Sequence, residues 1–80
     1  MIHKDSAGRT LQKIVASNVR ERRLRLGLSQ EQLAERSGFH RTYVGSVERG
    51  ERNITLSTLE ALAIVLETTP LKLLEAGSHD

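Results

Sequence analysis

Length and composition allow one small globular domain and exclude several kinds of protein. The chain has 80 residues, no cysteine and a formal net charge of +2, which suits a single hydrophobic core and is too little for two. Without cysteine, and without histidines or carboxylates at ligand spacing, we expect neither disulfides nor a zinc site. No apolar run approaches the roughly 18 residues of a membrane span, and the first residues lack the apolar segment of a signal peptide. We therefore expect a soluble intracellular protein.

The small net charge conceals an uneven distribution along the chain. Residues 1–27 carry a net charge of +5, residues 28–53 are neutral, and residues 54–80 carry −3. Such a gradient suits a protein that presents one side to a polyanion. Solvated helix faces would explain the same numbers, so charge alone does not decide between the two interpretations.

The N-terminal third predicts an arm followed by a helix. Residues 1–9 have little apolar content and are expected to form a flexible arm, whereas residues 10–76 form the domain and residues 77–80 a frayed tail. The helix is predicted from Thr10 to Leu26, with Ser6 as an alternative start, because apolar residues at 11, 15, 19 and 26 fall on one face. Arg23 lies on that same face, and a charge on a buried face needs a partner.

Residues 28–37 predict a second, short helix with a strong start signal. Ser29 stands as N-cap with Gln32 three residues later, which is a capping box. The helix is expected to run to about Ser37, and Gly38 supplies the positive φ that a tight turn needs. The first turn leaves backbone N–H groups unpaired beside Gln30, and such groups bind phosphate.

A third helix is predicted from about Arg41 to Arg49, and it contributes little to a core. Only Val44 and Val47, three residues apart, are expected to point inward. Gly50 ends the helix, and the following loop is rich in groups that donate hydrogen bonds to phosphate. Small outward residues would allow a close approach to a groove. The predicted outward face consists of Arg41, Thr42, Gly45 and Ser46.

The C-terminal third predicts two more helices with surplus apolar surface. Ile54 and Leu56 are expected to re-enter the core, a capping box at residues 57–60 starts the fourth helix, and Thr69 with Pro70 starts the fifth. The apolar residues of this third exceed what one small core can bury, which indicates a dimer interface. In the alternative, the fifth helix folds back over the first and fourth. The predicted interface residues are Ile64, Val65, Leu71, Leu73 and Leu74.

No arrangement of residues supports catalysis. Ser78, His79 and Asp80 contain the residue types of a hydrolase triad, but consecutive residues at a chain end cannot converge from separate elements. The histidines are far apart in sequence, and no carboxylate pair suggests general acid and base roles. We therefore expect no catalytic residue, no cofactor, no metal and no enzyme activity. Only Phe39 and Tyr43 are aromatic, which disfavours single-strand and RNA modules and leaves double-stranded DNA.

The chain from about residue 18 to residue 74 resembles the Cro and phage-repressor type of helix-turn-helix regulator. The matching residues are VRERRLRLGLSQEQLAERSG, followed by HRTYVGSVERGERN and a capped leucine helix. The resemblance implies an all-α, five-helix, lambda-repressor-like DNA-binding domain. Within that family, RTYVGSVERGERNITL is most similar to the controller proteins of restriction-modification systems, small homodimers that regulate their own gene and the endonuclease gene.

The resemblance also implies roles for individual residues. A structural ion pair between Arg23 and Glu48 would join the first helix to the third. His40 departs from the pattern because a Ser, Thr or Asp cap is expected there; it either contacts phosphate or faces water. For Tyr43 and Arg49, packing and simple solvation remain open alternatives. Base contacts are expected from Arg41, Thr42 and Ser46, and phosphate contacts from Gln30, His40, Tyr43, Arg49, Arg52 and Asn53.

These observations predict a homodimeric transcriptional regulator on a pseudo-palindromic operator, controlling its own gene and a restriction endonuclease gene. The expected partners are double-stranded DNA, a second copy of the chain and, as a further candidate, RNA polymerase; neither a membrane nor a small-molecule ligand is expected. The expected location is the bacterial cytoplasm, at the nucleoid. The alternative is an antitoxin whose leucine-rich surface covers a toxin and which also regulates its own operon.

Overall fold

Five helices make up the regular secondary structure of the computed structural model, which describes the backbone of residues 4–77 and the side chains of residues 10–77. In chain order they are α1 (Lys4–Arg25), α2 (Gln30–Ser37), α3 (Arg41–Glu48), α4 (Leu56–Val65) and α5 (Pro70–Leu74). No strand occurs within residues 4–77, and no helix there is long and apolar enough to span a bilayer. The prediction of a five-helix, all-α fold is confirmed.

One core joins all five helices. Helix α1 packs against α3 and α5, α2 packs against α3 and α4, and α4 packs against α5. Leu33, Leu62 and Leu66 are among the largest fully buried side chains, and burial of each stabilises the fold by about 1.5–3 kcal/mol. Leu11, predicted on the inward face of α1, is 49% exposed and lies at the edge of this core. The core consists of Val15, Val19, Leu33, Ala34, Val44, Val47, Leu59, Leu62, Ala63, Leu66 and Leu73.

Two helix starts are as predicted. The Ser29 hydroxyl accepts a hydrogen bond from the Gln32 backbone N–H at 3.0 Å, and the Gln32 side chain accepts one from the Ser29 N–H at 2.8 Å. At α5, the Thr69 hydroxyl accepts from the Lys72 N–H at 3.2 Å, with Pro70 in the first helical position. Each cap satisfies backbone donors that the first turn of a helix leaves unpaired.

The start of α1 differs from the prediction. The helix begins at Lys4, earlier than Ser6 or Thr10, so that residues 4–9 of the predicted arm have helical backbone. The segment contains no proline to stop the helix, and each residue added to an existing helix gains one backbone hydrogen bond. The remaining residues of the arm, 1–3, and residues 78–80 of the predicted tail lie outside the described residues.

Helix α4 begins two residues earlier than predicted. Its N-cap is Thr55, whose hydroxyl accepts from the Thr58 N–H at 3.1 Å, so Ser57 lies inside the first turn. Both residues are competent caps, and the earlier one adds helical hydrogen bonds such as Leu59 N–H to the Thr55 carbonyl at 3.0 Å. As a consequence Leu56, predicted to enter the core, is 78% exposed, whereas Ile54 packs against the core as expected.

Two polar side chains of α1 fix the positions of α4 and α5. The buried Asn18 amide donates to the carbonyls of Leu73 at 2.9 Å and Glu75 at 2.8 Å. Arg22 donates to the carbonyls of Leu66 at 2.9 Å and Glu67 at 2.8 Å. These carbonyls belong to helix ends, where no partner exists within the helix. The two side chains therefore hold the C-terminal ends of both helices against α1.

Candidate DNA-binding surface

Helices α2 and α3 form a helix-turn-helix unit that depends on one glycine. Gly38 ends α2 at φ +81°, a left-handed conformation that side chains with a Cβ rarely adopt. The Phe39 N–H then donates to the Ala34 carbonyl at 2.9 Å, closing the turn. Val44 and Val47 are 1% and 2% exposed, as predicted. The core therefore fixes α3 along one side and leaves its first turn at the surface.

A buried ion pair connects α1 to α3. Arg23 donates to Glu48 through two bonds, Nε to Oε2 at 2.6 Å and Nη2 to Oε1 at 2.9 Å. Its third nitrogen, Nη1, donates to the Leu28 carbonyl at 2.7 Å. The two side chains are 9% and 2% exposed, so each charge is compensated away from water. The structure thus contains the ion pair that the resemblance implies.

The same carboxylate also orients Gln30 in the first turn of α2. The Gln30 amide nitrogen donates to Glu48 Oε1 at 3.1 Å and is half-buried between α2 and α3. Gly45 lies under this contact: a Cβ there would be 3.6 Å from Gln30 Oε1, an ordinary contact distance, and 3.2 Å from Arg49 Nη1, which would have to shift slightly. Gly45 is buried rather than outward-facing as predicted, since these two side chains cover it.

The first turn of α3 presents polar side chains to solvent. Arg41 and Thr42 are exposed, and neither side chain forms a hydrogen bond or ion pair with any residue in the described part of the chain. His40 precedes the helix as N-cap, is exposed, and forms no side-chain capping bond. The uncapped first turn therefore keeps its backbone N–H groups available beside two free side chains.

An aromatic pair and an arginine lie next to this turn. The Phe39 and Tyr43 rings have centroids 5.3 Å apart and are tilted by 51°. The Arg52 guanidinium lies over the Tyr43 ring, with Cζ 5.4 Å from the centroid, a cation–π arrangement. Both rings pack against the core, so packing is one role of Tyr43. A phosphate contact by the same residue stays a prediction.

The structure corrects the prediction for Ser46, which was expected to face outward and contact bases. Ser46 is only 5% exposed. Its hydroxyl donates to the Tyr43 carbonyl at 2.7 Å and accepts from Arg52 Nε at 3.0 Å. Helical periodicity with Val44 and Val47 inward predicts an outward Ser46. The loop after α3 covers this residue, and helical periodicity does not take that loop into account.

The remaining predicted phosphate ligands lie at the end of α3 and in the loop after it, and of these Arg52 lies against Tyr43. Arg49 forms an exposed ion pair with Glu51, through Nε to Oε2 at 3.1 Å and Nη2 to Oε1 at 3.2 Å. Arg52 and Asn53 follow and are exposed. The Arg49 guanidinium therefore already has a carboxylate partner, with which any phosphate would compete.

The predicted dimer residues divide into three groups by burial. Ile64 and Leu71 are 77% and 72% exposed, whereas Val65 and Leu74 are partly buried against the core. Leu73 is 2% exposed and belongs to the core, which corrects its assignment to the interface. The sequence spacing did not distinguish the leucines of this short helix. Leu56 is also an exposed apolar residue, at 78%. The sequence does not suggest it for the interface, because it predicts a buried side chain at this position.

The side chains described, those of residues 10–77, include no group of three or more His, Cys, Asp or Glu that could hold a metal ion. The exposed groups around α3 are mostly hydrogen-bond donors and cations, with Glu51 as the carboxylate among them. Such a surface is suited to binding a polyanion.

Comparison with known proteins identifies the class to which this fold and surface belong. Residues 19–73 match the family model described as helix-turn-helix, HTH_3. The chain therefore belongs to the helix-turn-helix family.

Individual relatives narrow this assignment. Control protein C.SmaI of Serratia marcescens is 62% identical over 64 residues, which cover 80% of this chain and 76% of that protein. The structure of the restriction-modification controller protein C.AhdI from Aeromonas hydrophila superposes with a TM-score of 0.74 at 45% identity, over 78% of this chain and 94% of that one. The hypothetical transcription factor NHTF from Neisseria gives 0.81 at 42% identity, over 84% and 77%. Within the family, this chain is a transcriptional regulator of the restriction-modification controller type.

Proposed function

We propose that the protein is a cytoplasmic, non-enzymatic homodimer that binds a pseudo-palindromic operator and controls its own gene and a restriction endonuclease gene. The similarity to control proteins supports the regulatory role. The observation that carries the DNA-binding mechanism is the first turn of α3, where exposed Arg41 and Thr42 project from a helix whose other side is fixed by Val44, Val47 and the buried Glu48 carboxylate.

Arg41 and Thr42 supply the base contacts in this proposal. In helix-turn-helix proteins the N-terminal residues of the second helix reach base edges in the major groove. An arginine there makes a bidentate contact to guanine, worth about 1–3 kcal/mol of discrimination, and a threonine methyl packs against the thymine methyl. Neither side chain has a partner within residues 10–77 that it must leave first, so binding costs no broken protein contact.

Residues on both sides of α3 contact phosphates and fix its register. Gln30 presents its amide at the first turn of α2, where unpaired backbone N–H groups also favour an anion. Arg52 and Asn53 do the same from the loop after α3, and His40, Tyr43 and Arg49 are further ligands. Contacts of this kind position a protein on the duplex without selecting sequence.

A second copy of the chain supplies the other half of the recognition surface. An eight-residue recognition helix contacts only a few base pairs, so two copies lengthen the sequence that is selected. Ile64 on α4 and Leu71 on α5 are exposed apolar side chains, Val65 and Leu74 on the same two helices are partly buried, and Leu56 is exposed at the start of α4. Burying them against a second copy removes this apolar surface from water.

Substitution of one base-contacting and one phosphate-contacting residue tests the proposal. Duplexes are first selected from a randomised pool with the unmodified protein, and binding is then measured on a selected duplex and on a scrambled one. Arg41→Ala should weaken binding to the selected duplex about tenfold or more, with a much smaller change on the scrambled duplex, because it removes base discrimination. Gln30→Ala should weaken both by a similar factor.

Arg25→Ala is the matched control, since it also removes one positive charge. Arg25 lies on the side of α1 that faces the α4–α5 connection, beside Glu67 and Thr69. It should change binding to both duplexes only slightly. Equal losses on both duplexes for Arg41→Ala would contradict its role in base contact and place it among the phosphate ligands.

A further inference from the structure

The Ser46 hydroxyl forms two hydrogen bonds within the protein. A serine hydroxyl has one hydrogen to donate and two lone pairs to accept with. Here the hydrogen is directed to the Tyr43 carbonyl at 2.7 Å, and one lone pair accepts the Arg52 Nε–H at 3.0 Å. The residue is 5% exposed. Ser46 therefore has no donor left for a base or a phosphate.

Arg52 is held at two points and free at a third. Its Nε is bonded to Ser46, and its Cζ lies over the Tyr43 ring, 5.4 Å from the ring centroid. Its terminal nitrogens, Nη1 and Nη2, have no hydrogen-bond partner among the described residues. The guanidinium edge that carries four N–H groups is thus presented to solvent in a fixed orientation, although Arg52 lies in a loop.

We propose that Ser46 is a positioning residue, which holds the Arg52 guanidinium against Tyr43 so that its Nη edge meets a DNA phosphate without prior ordering. The inference rests on the proposed function, because it needs a duplex to be bound at this surface. A long side chain that is already fixed loses less rotational freedom on binding than a mobile one. Ser46 therefore contributes to affinity without touching DNA.

A double-mutant cycle between Ser46 and Arg52 tests this role. Ser46→Ala should weaken binding to both selected and scrambled duplexes about fivefold, the size expected when one long side chain must be ordered on binding. The same substitution in an Arg52→Ala background should have no further effect. Thermal stability should change little, because alanine keeps the Cβ and is the better helix former, and the exposed Arg52 can donate its Nε–H to water instead. In the free protein, the Arg52 Nε–H resonance should shift and exchange faster with water in Ser46→Ala.

Ser37→Ala is the matched control, because the Ser37 hydroxyl also bonds to a carbonyl of its own helix, that of Leu33 at 2.6 Å, but has no arginine partner. It should leave duplex binding unchanged. Equal weakening by Ser46→Ala in the presence and absence of Arg52 would overturn the proposal, as would unchanged affinity and an unchanged Arg52 Nε–H signal. If the unmodified protein bound no duplex, the proposed function itself would be wrong. If the unmodified protein bound normally but Ser46 and Arg52 showed no coupling, only the positioning role of Ser46 would be wrong.

Discussion

The candidate DNA-binding surface depends most on one residue, Glu48. It accepts two hydrogen bonds from Arg23 on α1 and one from Gln30 on α2, although Glu48 itself belongs to α3. A buried carboxylate is tolerated only when such donors compensate its charge. One side chain therefore fixes the recognition helix in the protein and also orients a predicted phosphate ligand.

Glu48→Ala should lower the free energy of unfolding by about 3–5 kcal/mol, because Arg23 is left buried without a counter-charge. Urea denaturation measures the change. The control is Glu51→Ala, which breaks the exposed ion pair with Arg49 (side chains 59% and 57% exposed) and should cost less than about 1 kcal/mol. Similar small losses for both variants would contradict a structural role for the buried pair.

Prediction from sequence at the scale of single residues succeeded where the signal was local or carried by the family pattern. The Arg23–Glu48 pair followed from the resemblance, and the inward valines of α3 followed from their spacing. Ser46 was misplaced because its environment is set by Arg52, six residues later in a loop. The spacing of residues within a helix cannot predict a contact with a side chain that lies outside that helix, such as Arg52.

At the scale of helices, the junction between α4 and α5 contains a residue in a strained backbone conformation. Glu67 has φ +56°, the only positive φ of a non-glycine residue within residues 4–77. Its carbonyl and that of Leu66 accept hydrogen bonds from Arg22. The bonds to α1 therefore hold the chain in a turn for which glycine would be the favoured residue.

Glu67→Gly should be more stable than Glu67→Ala by about 1 kcal/mol, because only glycine adopts this conformation without a Cβ clash. Both variants lose the same carboxylate, so their difference isolates the backbone term. Thermal or urea unfolding measures it. Equal stabilities would mean that the positive φ is not maintained in solution.

The helix starts show why local signals were sufficient in some places and insufficient in others. The cap at Ser29 is predicted by Gln32 three residues later, and the cap at Thr69 by the proline that follows it. Thr55 and Ser57 are both good caps two residues apart, so the sequence did not distinguish them and Leu56 was placed inside. The Asn18 bond to the Leu73 carbonyl spans 55 residues, a separation at which no sequence pattern was available.

At the scale of the whole molecule, the predicted base contacts and the predicted dimer contacts lie on different helices. The predicted base contacts are on α3, whereas the exposed apolar residues Ile64 and Leu71 are on α4 and α5. Helix α1 connects these two parts, because Asn18 and Arg22 bond to the ends of α4 and α5 and Arg23 bonds to Glu48 on α3. A homodimer formed through α4 and α5 would therefore hold its two recognition helices at a fixed spacing, which sets the separation of the half-sites.

The most direct test of this account is the symmetry and stoichiometry of the complex with a duplex selected from a randomised pool. We predict two chains per duplex and an inverted repeat whose half-sites lie about 10 base pairs apart or a multiple of that distance. The double variant Ile64→Lys and Leu71→Lys should keep its helical content and lose this complex at protein concentrations where the unmodified chain forms it. A single chain bound to an asymmetric site, with the same affinity in the double variant, would contradict the account.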